Sequence, residues 1–150
     1  MAILNYTTTV DADKSILEIE KILINHGALN ISKDFEQKLP IALNFVIQRN
    51  NIYFPVRLPA NPEAVLNVMR RGKVRPGLVN REQAYRVAWR IIKDWIEAQM
   101  AILETEQVVF EQIFLPYIQN DKGKTIYQIF TENGQKFLIA GQVDNRELEE

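Results

Sequence analysis

Eight basic side chains stand between positions 70 and 93 (Arg70, Arg71, Lys73, Arg75, Arg81, Arg86, Arg90 and Lys93) against a single acid, Glu82. The formal net charge of the whole chain, -1, hides this segment. A polyanion responds to the local field rather than to net charge, so the chemistry these residues suit is the neutralisation of phosphates. On a helix Arg86, Arg90 and Lys93 recur at i, i+4 and i+7 and share a face, with Arg81 near its first turn. Arg70, Arg71, Lys73 and Arg75 lie on the segment leading into that helix, which permits one continuous basic surface. The competing reading is a solvated helix face with Glu82–Arg86, Arg90–Asp94 and Lys93–Glu97 as i,i+4 pairs. It does not account for the arginines of the loop, which have no acid close in sequence.

Catalytic chemistry has little material. The chain has no cysteine and one histidine, His26, so thiol nucleophiles, disulfides and thiolate metal sites are excluded. A serine triad would need His26 as its base. That residue stands just before Gly27 at the end of a predicted helix, where a cation is favoured by the helix dipole. No glycine-rich phosphate loop is present. The acids Asp94, Glu97, Glu104, Glu106 and Glu111 are scattered around a helix. Metal-assisted hydrolysis would require three of Asp34, Glu36, Asp94, Glu97, Glu104 or Glu106 to meet in one cavity beside a lysine. The sequence therefore predicts a binding protein rather than an enzyme, with no catalytic residues, no metal and no cofactor.

The elements that must position the basic residues read as an α+β domain. Ile3–Val10 is β-branched and Thr-rich and predicts a first strand. Asp11 or Asp13 caps a helix with Ile16, Ile19 and Leu23 on its apolar face, ended by Gly27. Leu29, Ile31 and Phe35 predict a second strand, and Ile41, Leu43, Phe45 and Ile47 a third. Asn50-Asn51 then turns the chain into a fourth, with Ile52, Phe54, Val56 and Leu58 on one side. Pro55 lacks a ladder donor and assigns that strand to an edge. Tyr53 and Arg57 share its opposite side, where an aromatic ring and a guanidinium could stack on an unpaired base.

Asn61-Pro62 opens a second helix, about 62 to 71, with Gly72 at a left-handed cap. Asn80 and Gln83 open the longest helix in the manner of a capping box. Its core stripe is Tyr85, Ala88, Trp89, Ile92, Ile96, Met100 and Leu103, with Trp95 also turned inward. A straight helix from 80 to 114 would be about 52 Å long, more than the roughly 35–40 Å width of a domain this size, so a break is expected at Thr105–Gln107. Thr125–Thr131 and Gln135–Ala140 flank Asn133-Gly134 and predict a closing hairpin. The predicted order is β-α-β-β-β-α-α-β-β, a mostly antiparallel sheet with three or four helices on one face. One domain covers 1–143, and 144–150 is a frayed acidic tail.

Val108, Val109, Phe110, Ile113 and Phe114 form a run more apolar than one buried stripe requires, which predicts an interface through Val109, Phe110, Ile113 and Phe114 with a protein partner or a second copy. No apolar run approaches the roughly 18 residues of a membrane span and the start lacks a signal-peptide pattern. The expected compartment is the cytoplasm.

Ala2-Ile3-Leu4-Asn5-Tyr6-Thr7-Thr8, the stretch Ala84-Tyr85-Arg86-Val87-Ala88-Trp89-Arg90-Ile91-Ile92-Lys93-Asp94-Trp95-Ile96-Glu97-Ala98-Gln99-Met100, and Phe114-Leu115-Pro116-Tyr117 together resemble a family of small uncharacterised proteins of bacterial prophages and mobile elements. The resemblance spans most of the chain and implies a setting rather than an activity. Small accessory proteins in that setting act on nucleic acid or block a host or phage protein, inside the bacterial host cell.

Overall fold

Helix α1 (Ala12–Asn25) leads into a meander of three antiparallel strands, β1 (Leu29–Glu36), β2 (Leu39–Arg49) and β3 (Ile52–Pro59). There follow α2 (Pro62–Arg71), a 3-10 turn at Pro76–Leu78, the long α3 (Arg81–Glu104), the short α4 (Phe110–Phe114) and a second 3-10 turn, Leu115–Tyr117. A further helical stretch occupies 126–134. This architecture is that of a computed structural model that describes residues 3–134. None of its helices is long and apolar enough to cross a membrane.

The sheet is buried on one face. Leu43, Phe45 and Ile47 of β2 and Val56 and Leu58 of β3 pack with Ile16, Ile19 and Leu23 of α1 and with Trp89, Ile96 and Met100 of α3. The period of two along β2 sends Asn44 to the other face, where it donates to Asp34 at 2.9 Å. A second, smaller cluster, Leu66, Met69, Val74 and Ala84, joins α2 to the start of α3 and takes in Ile3 and Tyr6 from the N-terminal segment.

Several local signals act as their chemistry dictates. Asn50 and Asn51 hold φ of 51° and 64°, the two left-handed residues of a tight hairpin. Asn61 Oδ1 accepts from the Ala64 amide at 3.1 Å, and Asn80 Oδ1 accepts from the Gln83 amide at 2.8 Å. The long helix ends where length demanded: Thr105 Oγ1 donates to the Ala101 and Ile102 carbonyls and Glu106 turns left-handed at φ 60°. That break folds α4 back, so that Phe114 meets Phe45 edge-on at 5.8 Å and Phe110 meets Phe54 at 5.9 Å.

Two predicted strands are absent. Residues 3–10 form turns, with Asn5 left-handed at φ 63°. Their carbonyls are taken by a side chain, since Gln83 Nε2 donates to Tyr6 O at 3.0 Å and Thr8 O at 2.9 Å. Residues 126–131 are helical because Thr125 and Gln128 cap one another: the Gln128 amide donates to Thr125 Oγ1 at 3.1 Å and the Thr125 amide to Gln128 Oε1 at 2.8 Å. The other half of the expected hairpin, 135–140, lies outside the described residues, as does the acidic tail. The observed order among the described residues is therefore α-β-β-β-α-α-α with a final helical stretch. Gly72 is extended (φ -93°, ψ 179°) rather than left-handed, so it closes α2 without using glycine's special freedom.

Ser15 is fully buried on α1, and its hydroxyl has no hydrogen-bond partner among the described residues. A buried hydroxyl without a partner costs about 1–3 kcal/mol, and alanine is also the better helix former. Ser15→Ala is expected to raise the unfolding free energy by about 0.5–1.5 kcal/mol, read as a shift in the urea midpoint at constant slope; a lower midpoint would show that the hydroxyl is satisfied.

Candidate nucleic-acid interface

The eight residues of the basic segment divide into two sets. In the first, the cations of α3 meet carboxylates of α3 itself and of α1 and its start. Arg90 Nη1 donates to Glu18 of α1 at 2.7 Å, and Arg86 lies 3.8 Å from Asp11 at the start of α1 while also donating to Glu82 at 2.7 Å. Lys93 pairs with Glu97 and lies 3.9 Å from Glu18 and 3.8 Å from Asp94. These side chains are largely covered, Lys93 to 14% and Arg90 to 20% exposure. Their charge is spent within the fold, at the seam between α1 and α3. Asp94, expected to meet Arg90, instead accepts from Asn5 at 2.7 Å.

The second set is Arg70, Arg71, Lys73 and Arg75. All four are exposed, and none has a carboxylate within salt-bridge distance among the described residues. Arg71 Nε donates to the Asn67 carbonyl at 3.3 Å, which fixes the stem and leaves both terminal amino groups available. Arg70 and Arg71 occupy the last turn of α2, where the helix dipole favours cations. Lys73 and Arg75 follow on either side of the buried Val74, which pins the loop to the small core while its flanking cations face outward. Arg81 is intermediate: it lies 3.4 Å from Glu63, but its side chain is 81% exposed. Such a pair is worth little and yields to a competing anion.

Tyr53 and Arg57 share the open face of β3, four residues apart with Pro55 between them. Arg57 Nε donates to Asp34 at 3.0 Å, in a row with Asn44, so its charge is compensated. Tyr53 remains exposed. These two do not join the basic loop into one compensation-free patch.

Of the expected interface, Phe110 and Phe114 are buried and Ile113 packs partly buried against the same core, leaving Val109 alone exposed. The apolar excess of this run is consumed by its return onto the sheet, which sequence periodicity could not reveal. Trp89 is fully buried and Trp95 packs against Phe114 and Tyr117. Among the described residues, no group of three His, Asp or Glu side chains is arranged to hold a metal ion. What sequence reasoning missed is the role of Asp11, the N-cap of α1, and of Glu18: seven apart, they match Arg86 and Arg90, four apart on α3.

No family model, curated protein or solved structure matches this chain.

His26 caps α1 as expected and also bridges to the end of α3. Nδ1 lies 2.7 Å from the Ile22 carbonyl oxygen and Nε2 lies 2.7 Å from a Glu104 carboxylate oxygen. Both partners are acceptors, so both ring nitrogens must donate, which only the imidazolium can do. Its pKa is raised, first by the bond to the Ile22 carbonyl and, against a lowering by burial, by Glu104. A raised folded-state pKa means that this contribution to stability is complete below the ordinary histidine value of about 6.5 and is lost as pH climbs through the folded value. As the only imidazole in the chain, His26 gives an unambiguous NMR titration. Its midpoint is expected above about 6.5, and Glu104→Gln should lower it without bringing it below that value, since the Ile22 carbonyl remains; a wild-type midpoint at or under the ordinary value contradicts the bridge.

Proposed function

We propose that the protein is a non-enzymatic accessory protein that binds nucleic acid through the phosphate backbone, using Arg70, Arg71, Lys73 and Arg75 as its core contacts. The observation that carries this reading is the contrast within the basic segment: the cations of α3 are matched by acids of the fold, whereas those of the α2 terminus and loop have none among the described residues. Four cations within six residues present a small, dense positive surface on one rigid helix end and one anchored loop. Such a surface suits backbone phosphates, which are repeated and sequence-independent, and it offers no constellation for reading base edges. Arg81, weakly held by Glu63, extends it. The setting proposed for it is a bacterial prophage or mobile element, where nucleic acid is the abundant polyanion.

The compact site sets a scale. Neutralising about four phosphates gives a log–log salt dependence with a slope near -3.5 on duplex DNA, against about -7 if all eight cations took part. Anisotropy with a labelled duplex over a salt series is expected to return the shallower slope, and the oligonucleotide should be recovered intact after incubation with Mg²⁺. Arg71→Glu should weaken binding at least about tenfold by replacing an attraction with a repulsion. Lys14, exposed on α1 beside Asp11 and Asp13, is the control: Lys14→Glu should change affinity little. Equal losses from the two variants, or no binding at low salt, would reject the site.

A further inference from the structure

At the opposite end of α2 a cleft of about 340 Å³ opens between the β1–β2 hairpin, the β3–α2 connection and the first turn of α3. Ile41, Leu66 and the Tyr85 ring give it an apolar floor, and Leu39 stands at its mouth, half exposed. The Tyr85 hydroxyl donates to the Pro40 carbonyl at 2.7 Å, so its polar end is already satisfied and the ring serves as wall. The charged members of the lining are Glu36, Glu63 and Arg81. Arg81 is matched to Glu63 at 3.4 Å, which leaves Glu36 with no cation in salt-bridge range among the described residues. The excess charge at the rim is therefore negative.

The β1–β2 turn at this corner uses Gln37 and Lys38 at φ of 50° and 67°, the left-handed pair that a two-residue hairpin requires. Gln37 lines the cleft, whereas Lys38 does not. Phe35, 62% exposed, pairs with Pro40 and so lies on the face of the hairpin away from Glu36, Leu39 and Ile41, outside the cleft.

We infer that this cleft receives a segment of a partner polypeptide that carries a large apolar side chain next to an arginine or lysine. The volume is at the lower end of the roughly 300–1,000 Å³ range of ligand pockets, which suits one or two side chains rather than a cofactor. The apolar side chain covers Ile41, Leu66 and the Tyr85 ring, and the cation meets Glu36 at the rim. Arg81, which extends the Arg70–Arg75 surface, also lines this cleft, but none of that surface's four core contacts does, so either reading stands if the other fails.

The test uses the full chain, labelled with ¹⁵N, and three capped dipeptides: Arg-Phe, Glu-Phe and Arg-Ser. Arg-Phe is expected to bind with a millimolar Kd, moving the amide signals of Glu36, Gln37, Asn61 and Arg81, while Glu-Phe lacks the cation and Arg-Ser the apolar group, so both should bind at least about fivefold more weakly. Glu36→Lys, at an exposed position whose own spectrum reports that the fold is kept, should weaken Arg-Phe about fivefold and improve Glu-Phe. Indifference to charge or to the apolar side chain, shifts centred away from the cleft, or no shifts up to about 10 mM peptide would each overturn the assignment.

Discussion

The Pro40 carbonyl fixes the register on which the rest of the molecule depends. It accepts from the Tyr85 hydroxyl at 2.7 Å and from the Trp89 indole N–H at 3.3 Å, two donors one turn apart on α3. Trp89 is fully buried, so its N–H must find a partner, and sliding α3 along the sheet would orphan it at a cost of about 1–3 kcal/mol. With α3 held there, every other contact along its length follows. Gln83 reaches the N-terminal segment, Arg86 and Arg90 reach Asp11 and Glu18, and Glu104 reaches His26. One carbonyl near the start of β2 thus sets the spacing of a helix of 24 residues against three other parts of the chain.

That register decides which cations are available to a partner. The face of α3 opposite its core stripe is not all solvated, because α1 lies along one flank and supplies acids there. Pairs at this depth are firmer than surface pairs, since a partly covered arginine whose carboxylate is removed keeps the cost of its burial. Arg86, Arg90 and Lys93 hold α1 to α3, and their charge is matched there. The basic segment is continuous in sequence but is cut in space at the start of α3.

Legibility in the sequence follows the range of the interactions concerned. The turn at Asn50-Asn51, the caps at Asn61 and Asn80, and the break after Glu104 depend on neighbours within a few residues or on the size of the domain, and each could be read directly. Ile3–Val10 and the residues after Thr125 carry strand-like composition, yet side-chain hydrogen bonds override it: Gln83 comes from far along the chain, and Thr125 with Gln128 is a local capping box outweighed in the reading by Asn133-Gly134. Phe110 and Phe114 resembled an interface because their burial depends on where the chain goes after the break. For the site, the basic residues were visible, as were two of their partners within α3, Glu82 and Glu97; the compensation from α1 was not, since Asp11 and Glu18 lie more than 70 residues from their partners.

The charges of α2 also separate structural need from binding. A helix gains from an acid in its first turn and bases in its last, and α2 has Glu63 at one end and Arg70 and Arg71 at the other. Those three residues would be placed where they are even in a protein that bound nothing. The dipole effect fades within the terminal turn, however, and Lys73 and Arg75 lie beyond it, on a loop whose backbone leaves the helix at Gly72. Neither cation stabilises a helix end, and neither meets an acid of the described fold. Two like charges held two residues apart, next to two more on the helix terminus, repel one another in the isolated molecule. The arrangement becomes favourable when an external anion is present, which makes Lys73 and Arg75, rather than the arginines of the helices, the residues whose placement speaks most directly for a polyanionic partner.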